Sequence, residues 1–174
     1  DYNWIFALVM GAIVLKGALR LYFKKLDADY ARKNRGTVPA NLADRVTPEA
    51  HSRSADYMLD GIALSAKEEV FGLMLKILVL VGGVLPWVYN ATVETWGVQN
   101  IFAQVLAMSL TTIVLGICFW PFDWADTFKI EAKYGFNKTT IGTWWADNFR
   151  DIALGLAMGL PIMWVVLWMA QNLE

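Results

Sequence analysis

Residues Pro121–Asn137, PFDWADTFKIEAKYGFN, are the stretch from which the fold can be worked out, and we call them the signature segment. Two uncharged apolar runs flank it, one over residues 101–120 and the other over residues 152–169. Each run is long enough to cross a hydrocarbon layer about 30 Å thick. Between them, aromatic side chains alternate with charges of both signs, a composition typical of the membrane–water interface. We therefore expect a loop at one membrane surface, with Gly135 supplying a turn.

The composition of the whole chain points to the same environment. The 174 residues are 57% hydrophobic, include nine Trp and have a mean hydropathy of +0.40. This is too much apolar surface for one water-soluble domain, so the chain belongs in a membrane, with the lipid bilayer as its first partner. The net charge of -1 gives no support for a nucleic-acid partner.

The hydropathy pattern predicts an all-α polytopic membrane helix bundle: four transmembrane helices with a helical cytoplasmic connector, forming a single module over residues 1–174. The Thr47–Pro48 pair is typical of a helix start, which places a helix from about Pro48 onward. Gly82, Gly83 and Pro86 predict either close helix packing or a kink in the second span. The predicted spans are residues 3–23, 69–89, 101–120 and 150–170, and the predicted cytoplasmic connectors are residues 24–68 and 121–149.

The distribution of cations predicts the orientation. Lys and Arg are concentrated in the two long connectors, which four crossings would place on one side of the membrane. The positive-inside rule makes that side cytoplasmic, so both chain ends would be non-cytoplasmic.

Polar side chains inside the predicted spans allow two interpretations. The cations could extend to the nearer interface along their aliphatic stems, or they could face a polar chamber within the bundle. Uncharged polar groups in hydrocarbon likewise need partners in other helices or in a cavity. The possible chamber-facing residues are Lys16, Arg20, Lys76, Gln104 and Thr111.

The sequence predicts no catalytic and no metal-binding residues in this chain. A zinc-protease helix needs two His four residues apart with a Glu base, and the chain has one histidine, His51. We expect His51 to be a solvated side chain. The acids Asp123, Asp126 and Glu131 are interspersed with lysines, a pattern that favours salt bridges and caps over a hard-metal site.

The signature segment resembles a known family. The order F-D-x-x-x-T-F-x-I-E-x-x-x-G-F-N resembles the CAAX prenyl endopeptidases, which are integral-membrane zinc metalloproteases. A weaker match, HSRSADYMLD at residues 51–60, lies before the second span. The positions that carry the main resemblance are Phe122, Asp123, Thr127, Phe128, Ile130, Glu131, Gly135, Phe136 and Asn137.

The resemblance implies a parent enzyme of seven spans around a water-filled chamber capped by a zinc-protease domain. This chain would be its amino-terminal membrane module, and the signature segment would brace the catalytic domain. Zinc is expected in the parent enzyme, and no cofactor is expected in this chain. The bacterial inner membrane is the favoured location, or the endoplasmic reticulum membrane if the source is eukaryotic.

One alternative remains open. The chain could be complete and serve as a non-catalytic structural or accessory subunit, with other membrane subunits as its partners. A downstream reading frame containing H-E-x-x-H would favour the protease, and a stop codon after Glu174 would favour the accessory subunit.

Overall fold

The structure, a computed structural model, describes residues 3–40, 43–97 and 100–172. The described regular elements are all helical, as the sequence predicts. In chain order they are α1 (Asn3–Asn34), α2 (Pro48–Val81), α3 (Val84–Trp96), α4 (Ile101–Ile117), α5 (Trp120–Ala125), a π-turn (Asp126–Glu131), α6 (Ala132–Tyr134) and α7 (Ile141–Asn172).

The described helices can account for the predicted crossings. Three helical runs are long and apolar enough to span a membrane, namely Asn3–Asn34, Ile101–Tyr134 and Ile141–Asn172. Helices α2 and α3 pass the same test as a pair that is bent by 48° at the break between them. With that pair counted as one broken span, the number reaches the predicted four.

Side-chain caps explain where several helices begin. Thr47 Oγ1 accepts a hydrogen bond from Ala50 N at 3.2 Å, which confirms the predicted start of α2. Asn100 Oδ1 accepts from Ala103 N at 3.0 Å at the start of α4. Such caps satisfy amide groups that have no partner within the first helical turn.

The predicted kink between α2 and α3 falls on two glycines that have different roles. Gly83 adopts a left-handed conformation with φ of 72°, which other L-residues rarely adopt. A Cβ atom on Gly82 would lie 2.3 Å from the carbonyl oxygen of Leu78, so no side chain fits there. The break therefore depends on both residues being glycine.

The signature segment is not the predicted loop. Most of it is helical, in α5, the π-turn and α6, and only its last residues leave the helix at Gly135. The physical reason is the absence of Gly and Pro between Phe122 and Tyr134, which leaves nothing to interrupt the helix. The predicted turn at Gly135 is confirmed, with φ of 81°.

The described helices group into two compact units. Unit 1 contains Asp1–Ile77 and Pro121–Asn137. Within it, Arg20 Nη1 of α1 lies 3.1 Å from Glu69 Oε2 of α2, and Lys24 Nζ donates to Ser65 Oγ. Gly17 of α1 is buried, with Leu73 beside it. Polar pairs and one close approach therefore join these two helices.

Unit 2 contains Leu78–Trp120 and Lys138–Glu174, and helices α3, α4 and α7 pack together within it. Its small core includes Ala103, Val105 and Ser109 of α4, and Ser109 Oγ contacts Met163 Sδ of α7 at 3.7 Å. Small side chains at such positions let membrane helices approach closely.

Candidate functional site: the clamp between helix α2 and the signature segment

In unit 1, one face of α2 holds the carboxyl end of the signature segment. The contacts are made by three aromatic rings and three charged groups, one of which is a guanidinium group. We call this set the α2 clamp; its members are Arg53, Tyr57, Asp60, Lys133, Tyr134 and Phe136.

Hydrogen bonds to one carboxylate form the polar half of the α2 clamp. Asp60 Oδ2 accepts from Lys133 Nζ at 2.6 Å and from the Tyr134 hydroxyl at 2.8 Å. Arg53 Nη2 donates to the main-chain oxygen of Tyr134 at 2.6 Å. The segment is therefore held through both its side chains and its backbone, by groups two turns apart on α2.

Aromatic contacts form the apolar half. The ring of Tyr57 meets the ring of Tyr134 edge-on, with centroids 5.3 Å apart, and the ring of Phe136 in the same way at 5.0 Å. Edge-to-face pairs at these distances are favourable because the positive ring edge meets the negative face. Tyr134 is buried, whereas Phe136 stays 59% exposed. Phe136 thus packs against Tyr57 and still exposes more than half of its surface.

The pKa values within the α2 clamp are shifted in the directions that its hydrogen bonds require. The hydrogen bond from Lys133, with that from Tyr134, lowers the pKa of Asp60 below its ordinary value of 3.8. The hydrogen bond to Asp60 raises the pKa of Lys133. Burial raises the pKa of Tyr134, and its bond to Asp60 adds to that shift. At neutral pH the clamp therefore contains a carboxylate, an ammonium and a neutral phenol.

The turn after α6 completes the site. Gly135 ends the helix in a left-handed conformation, and the amides of Phe136 and Asn137 both reach back to Glu131 O, at 2.9 and 3.3 Å. This arrangement satisfies the last carbonyl groups of the helix and directs Phe136 onto Tyr57.

The π-turn sets the register of the whole segment. At the other end of the segment, Phe122 contacts Phe71 of α2, with ring centroids 5.3 Å apart. Phe122 and Tyr134 are twelve positions apart, so a regular α-helix would place them about 120° apart around its axis. The wider π-turn accommodates one extra residue, which reduces the angle between Phe122 and Tyr134 around the axis to about 20°. Both aromatic residues can therefore face α2.

Some of the sequence-predicted signature residues join these contacts and others do not. Phe122, Gly135 and Phe136 lie against α2 or form the turn beside it. Thr127 and Ile130 are half-buried in the π-turn. The ring of Phe128 contacts the ring of Trp124, with centroids 5.6 Å apart. Glu131 takes part through its main-chain oxygen. Asp123 is exposed and Asn137 is half-buried.

The sequence interpretation missed most of the α2 clamp. It did not single out Arg53, Tyr57, Asp60, Lys133 or Tyr134 as site residues. A signal for three of them was present, because the weaker match at residues 51–60 contains Arg53, Tyr57 and Asp60. Pairing that match with the signature segment would have predicted the contact.

The possible chamber-facing residues fall in different units. Lys16, Arg20 and Lys76 lie in unit 1, where Arg20 is paired with Glu69. Gln104 and Thr111 lie in unit 2, where both line one groove between helices. That these five residues face a common chamber stays a prediction.

No group of three His, Cys, Asp or Glu side chains that could hold a metal ion occurs within residues 3–40, 43–97 and 100–172. The residues described here therefore do not fit a zinc site. His51 is not the solvated side chain that we expected. It is half-buried, and its Nε2 lies 3.0 Å from the carbonyl oxygen of Asn34, because the end of α1 lies beside the first turn of α2.

The fold and the α2 clamp define a class: an integral, multi-pass membrane module in which one long helix, α2, holds the signature segment. Residues 27–174 match the sequence profile of the CAAX prenyl protease N-terminal domain, which is described as having five membrane helices. The chain therefore belongs to the CAAX prenyl protease family, as the resemblance indicated.

Individual relatives agree with this assignment. A CAAX prenyl protease 1 homolog of Oryza sativa is 30% identical over 142 residues, covering 78% of this chain and 33% of the relative. A homolog of Caenorhabditis elegans is 28% identical over 142 residues, covering 82% and 31%. The chain thus spans about a third of the length of these curated relatives.

A solved structure shares the fold. The crystal structure of S. mikatae Ste24p superposes with a TM-score of 0.78 at 19% sequence identity, covering 95% of this chain and 39% of that chain. At this identity the likeness concerns the fold alone.

Proposed function

We propose that this chain is the amino-terminal membrane module of a CAAX-type zinc metalloendopeptidase. The parent enzyme would cleave prenylated or membrane-associated protein substrates. In it, this module forms part of an intramembrane chamber, and the signature segment braces the catalytic domain.

The observation that carries the proposal is the α2 clamp. It holds the segment with the family's signature through a carboxylate with two donors, a guanidinium–carbonyl bond and two aromatic contacts. A segment held this firmly is suited to position a neighbouring domain, because little conformational freedom remains to be lost when the two meet.

The exposed edge of the α2 clamp supplies the surface for that neighbour. The side chain of Lys133 is 62% exposed, that of Asp60 is 39% exposed, and Phe136 is 59% exposed. An exposed aromatic ring beside charged groups is typical of interface surfaces. The catalytic domain would cover Phe136 and leave the charged pair at the rim.

The zinc ion belongs elsewhere in the parent enzyme in this proposal. The residues described here do not fit a zinc site, and the curated relatives are about three times longer than the matched region. Zinc, when bound by the remaining part, would supply the Lewis acid and the activated water for peptide hydrolysis.

The chamber, the orientation and the location complete the proposal. The cations of unit 1 and the polar groups of unit 2 would face water inside the full bundle. Both cation-rich connectors would lie in the cytoplasm, with the chain ends on the other side. The membrane would be the bacterial inner membrane, or the endoplasmic reticulum membrane in a eukaryote.

The bracing role can be tested by mutating two signature residues in the full-length enzyme. We expect Glu131→Ala and Asn137→Ala to lower protease activity or expression, because each change removes a half-buried side chain from the signature segment. Zinc content should stay unchanged, since neither residue belongs to a metal site. The measurements are turnover of a prenylated peptide, metal content and thermal stability.

Glu94→Ala is the matched control, because Glu94 is an exposed acid of α3 outside unit 1. It should leave activity and stability at wild-type values. Unchanged activity and unchanged thermal stability in both signature variants would contradict the bracing role.

A further inference from the structure

The two ends of the signature segment are attached to the same packed body. The chain passes from unit 2 into unit 1 between Trp120 and Pro121, and it returns to unit 2 at Lys138. Helix α4 ends at Ile117, just before the first crossing, and α7 begins at Ile141, just after the second. Because α4 and α7 pack together, the ends of the segment are brought close to each other, and such closure costs chain entropy.

Four aromatic rings of unit 2 join these two ends, and we call them the aromatic latch: Trp120, Trp144, Trp145 and Phe149. The ring of Trp120, the first residue of α5, meets the other three in edge-to-face geometry. The centroids lie 5.8, 5.4 and 6.3 Å from that of Trp120, in chain order. These distances fall within the range of roughly 4.5–7 Å that favours aromatic pairs. One indole that precedes the segment is thus held by three rings that follow it.

The first turns of α7 bring three rings of the aromatic latch together. Thr140 Oγ1 accepts a hydrogen bond from Thr143 N at 3.1 Å, a cap that fixes the start of the helix. Trp145 and Phe149 are four residues apart and therefore share one face of α7. Their rings stack, with centroids 5.8 Å apart and an angle of 23° between the planes. Local structure in α7 therefore supplies an aromatic surface, and the Trp120 ring packs against it.

We propose that Trp120 is a positioning residue for the signature segment. Its contacts in the aromatic latch hold the two ends of the segment together and so keep the segment in the conformation that the α2 clamp binds. With the latch open, the segment samples more conformations, which raises the entropy cost of its contacts with Tyr57 and Asp60. The latch and the α2 clamp thus restrain the same segment at different points. The link from Trp120 to proteolysis rests on the proposed function, whereas the effect on the segment does not.

The first test is amide hydrogen exchange of the full-length protein in phosphatidylcholine nanodiscs. We expect Trp120→Ala to speed exchange over residues 122–137 about ten-fold, because the lost ring contacts make local opening easier. The middle of α4 should keep its wild-type rate, and Trp120→Phe, which keeps a ring, should restore most of the protection. Trp168→Ala removes an exposed indole of α7 outside the latch, so it is the control and should change nothing. Unchanged exchange over residues 122–137 in Trp120→Ala, or equal acceleration throughout α4 and α7, would overturn the proposal.

A cross-link separates closure of the segment from the other effects of an indole. In a Cys118→Ala background, Trp120→Cys is combined with Trp145→Cys, at a position that is 43% exposed. A short bifunctional thiol reagent joins the two cysteines, and N-ethylmaleimide caps them separately. We expect the joined form to exchange over residues 122–137 as slowly as wild type and the capped form about ten-fold faster. Rings that only anchor the helix ends at the membrane surface predict equal exchange in both forms, and that result would contradict the proposal. The two forms share one sequence, so this comparison decides the question even if Trp120→Ala does not fold.

Turnover of a prenylated peptide by the same variants tests the link to the proposed function. We expect Trp120→Ala and the capped form to lower kcat about ten-fold with KM unchanged, because fewer molecules hold the segment in place at any time. The joined form should recover the wild-type kcat. Faster hydrogen exchange with an unchanged kcat would support the latch and contradict the bracing role of the segment. A lower kcat with unchanged hydrogen exchange would instead overturn the latch.

Discussion

At the scale of single residues, Asp60 is the centre of the α2 clamp. Its Oδ2 atom accepts from both Lys133 and Tyr134, while Arg53 fixes the backbone one residue before the turn. The ion pair is solvent-exposed, so by itself it stabilises the fold weakly. Its importance lies in orientation, because one carboxylate sets the position of two consecutive side chains.

The first prediction concerns pH. The folded pKa of Asp60 lies below 3.8, so its contribution to stability is present above pH 3.8 and is lost as pH falls through the folded value. The folded pKa of Lys133 lies above 10.5, so its contribution is present below pH 10.5 and is lost as pH rises through the folded value. We expect Asp60→Asn to lower the unfolding temperature most between these limits.

The measurement for Asp60→Asn is thermal unfolding of the purified protein at a series of pH values, with Asp147→Asn as the control. Asp147 also pairs with a cation, Arg150, but it lies on α7 outside the clamp. A constant difference between wild type and Asp60→Asn from pH 3 to pH 8 would contradict the prediction.

The second prediction concerns the glycine pair between α2 and α3. Gly83→Ala should destabilise the protein by about 1–2 kcal/mol, the cost of a left-handed conformation with a Cβ atom. Gly82→Ala should cost more, because its Cβ would meet a carbonyl oxygen at 2.3 Å. Gly116→Ala is the control: nothing lies within 4 Å of its Cβ position. The measurement is the free energy of unfolding in denaturant. Equal values for all three variants would disprove these roles of Gly82 and Gly83.

At the scale of elements, the sequence predicts what depends on neighbours along the chain. The cap at Thr47, the break at Gly82–Gly83 and the turn at Gly135 were all predictable, since each depends on local chemistry. The clamp was not, because Asp60 and Lys133 are 73 residues apart and meet only through tertiary packing. Nor does the hydropathy pattern encode the one-residue difference between an α-turn and the π-turn.

The third prediction tests the π-turn as the element that sets register. Deleting Asp126 should convert the π-turn to regular α-helix and keep Phe122 and Tyr134 on one face. The two residues would then be eleven positions apart, which places them within about 20° of each other around the helix axis. Inserting one alanine after Asp126 should rotate Tyr134 by about 100° from its partners. We therefore expect the deletion to keep most of the thermal stability and the insertion to lose it.

Double-mutant cycles test whether a variant that stays stable also keeps the contact between Asp60 and Tyr134. The coupling between Asp60→Asn and Tyr134→Phe should survive the deletion and vanish in the insertion. If insertion and deletion are tolerated equally, the π-turn does not set the register. If the deletion keeps the fold but lowers activity, the wide turn also has a local role in the parent enzyme.

At the scale of the whole molecule, the apolar surface dominates. Many large hydrophobic side chains are exposed, and none of the 18-residue apolar window of α7 is buried. Such a surface needs lipid or further protein to cover it. Composition alone predicted the large apolar surface, because that surface depends on how many apolar residues the chain has and not on which residues pack together. Which cations face water depends instead on the complete assembly, so it requires an experiment.

The last prediction places two of those cations. Lys16 and Lys76 are both exposed in unit 1. In a full-length background with Cys118→Ala, we expect Lys16→Cys and Lys76→Cys to react with a membrane-impermeant maleimide. A thiol reacts as its thiolate, which needs water around it.

Two further variants are the controls. Leu8→Cys, on an apolar stretch of α1, should be protected, and Arg45→Cys, in the exposed connector, should react fully. If the cysteines at Lys16 and Lys76 are as protected as the one at Leu8, these positions lie in a packed or lipid-covered interior, and the water-filled chamber is wrong for this part of the molecule.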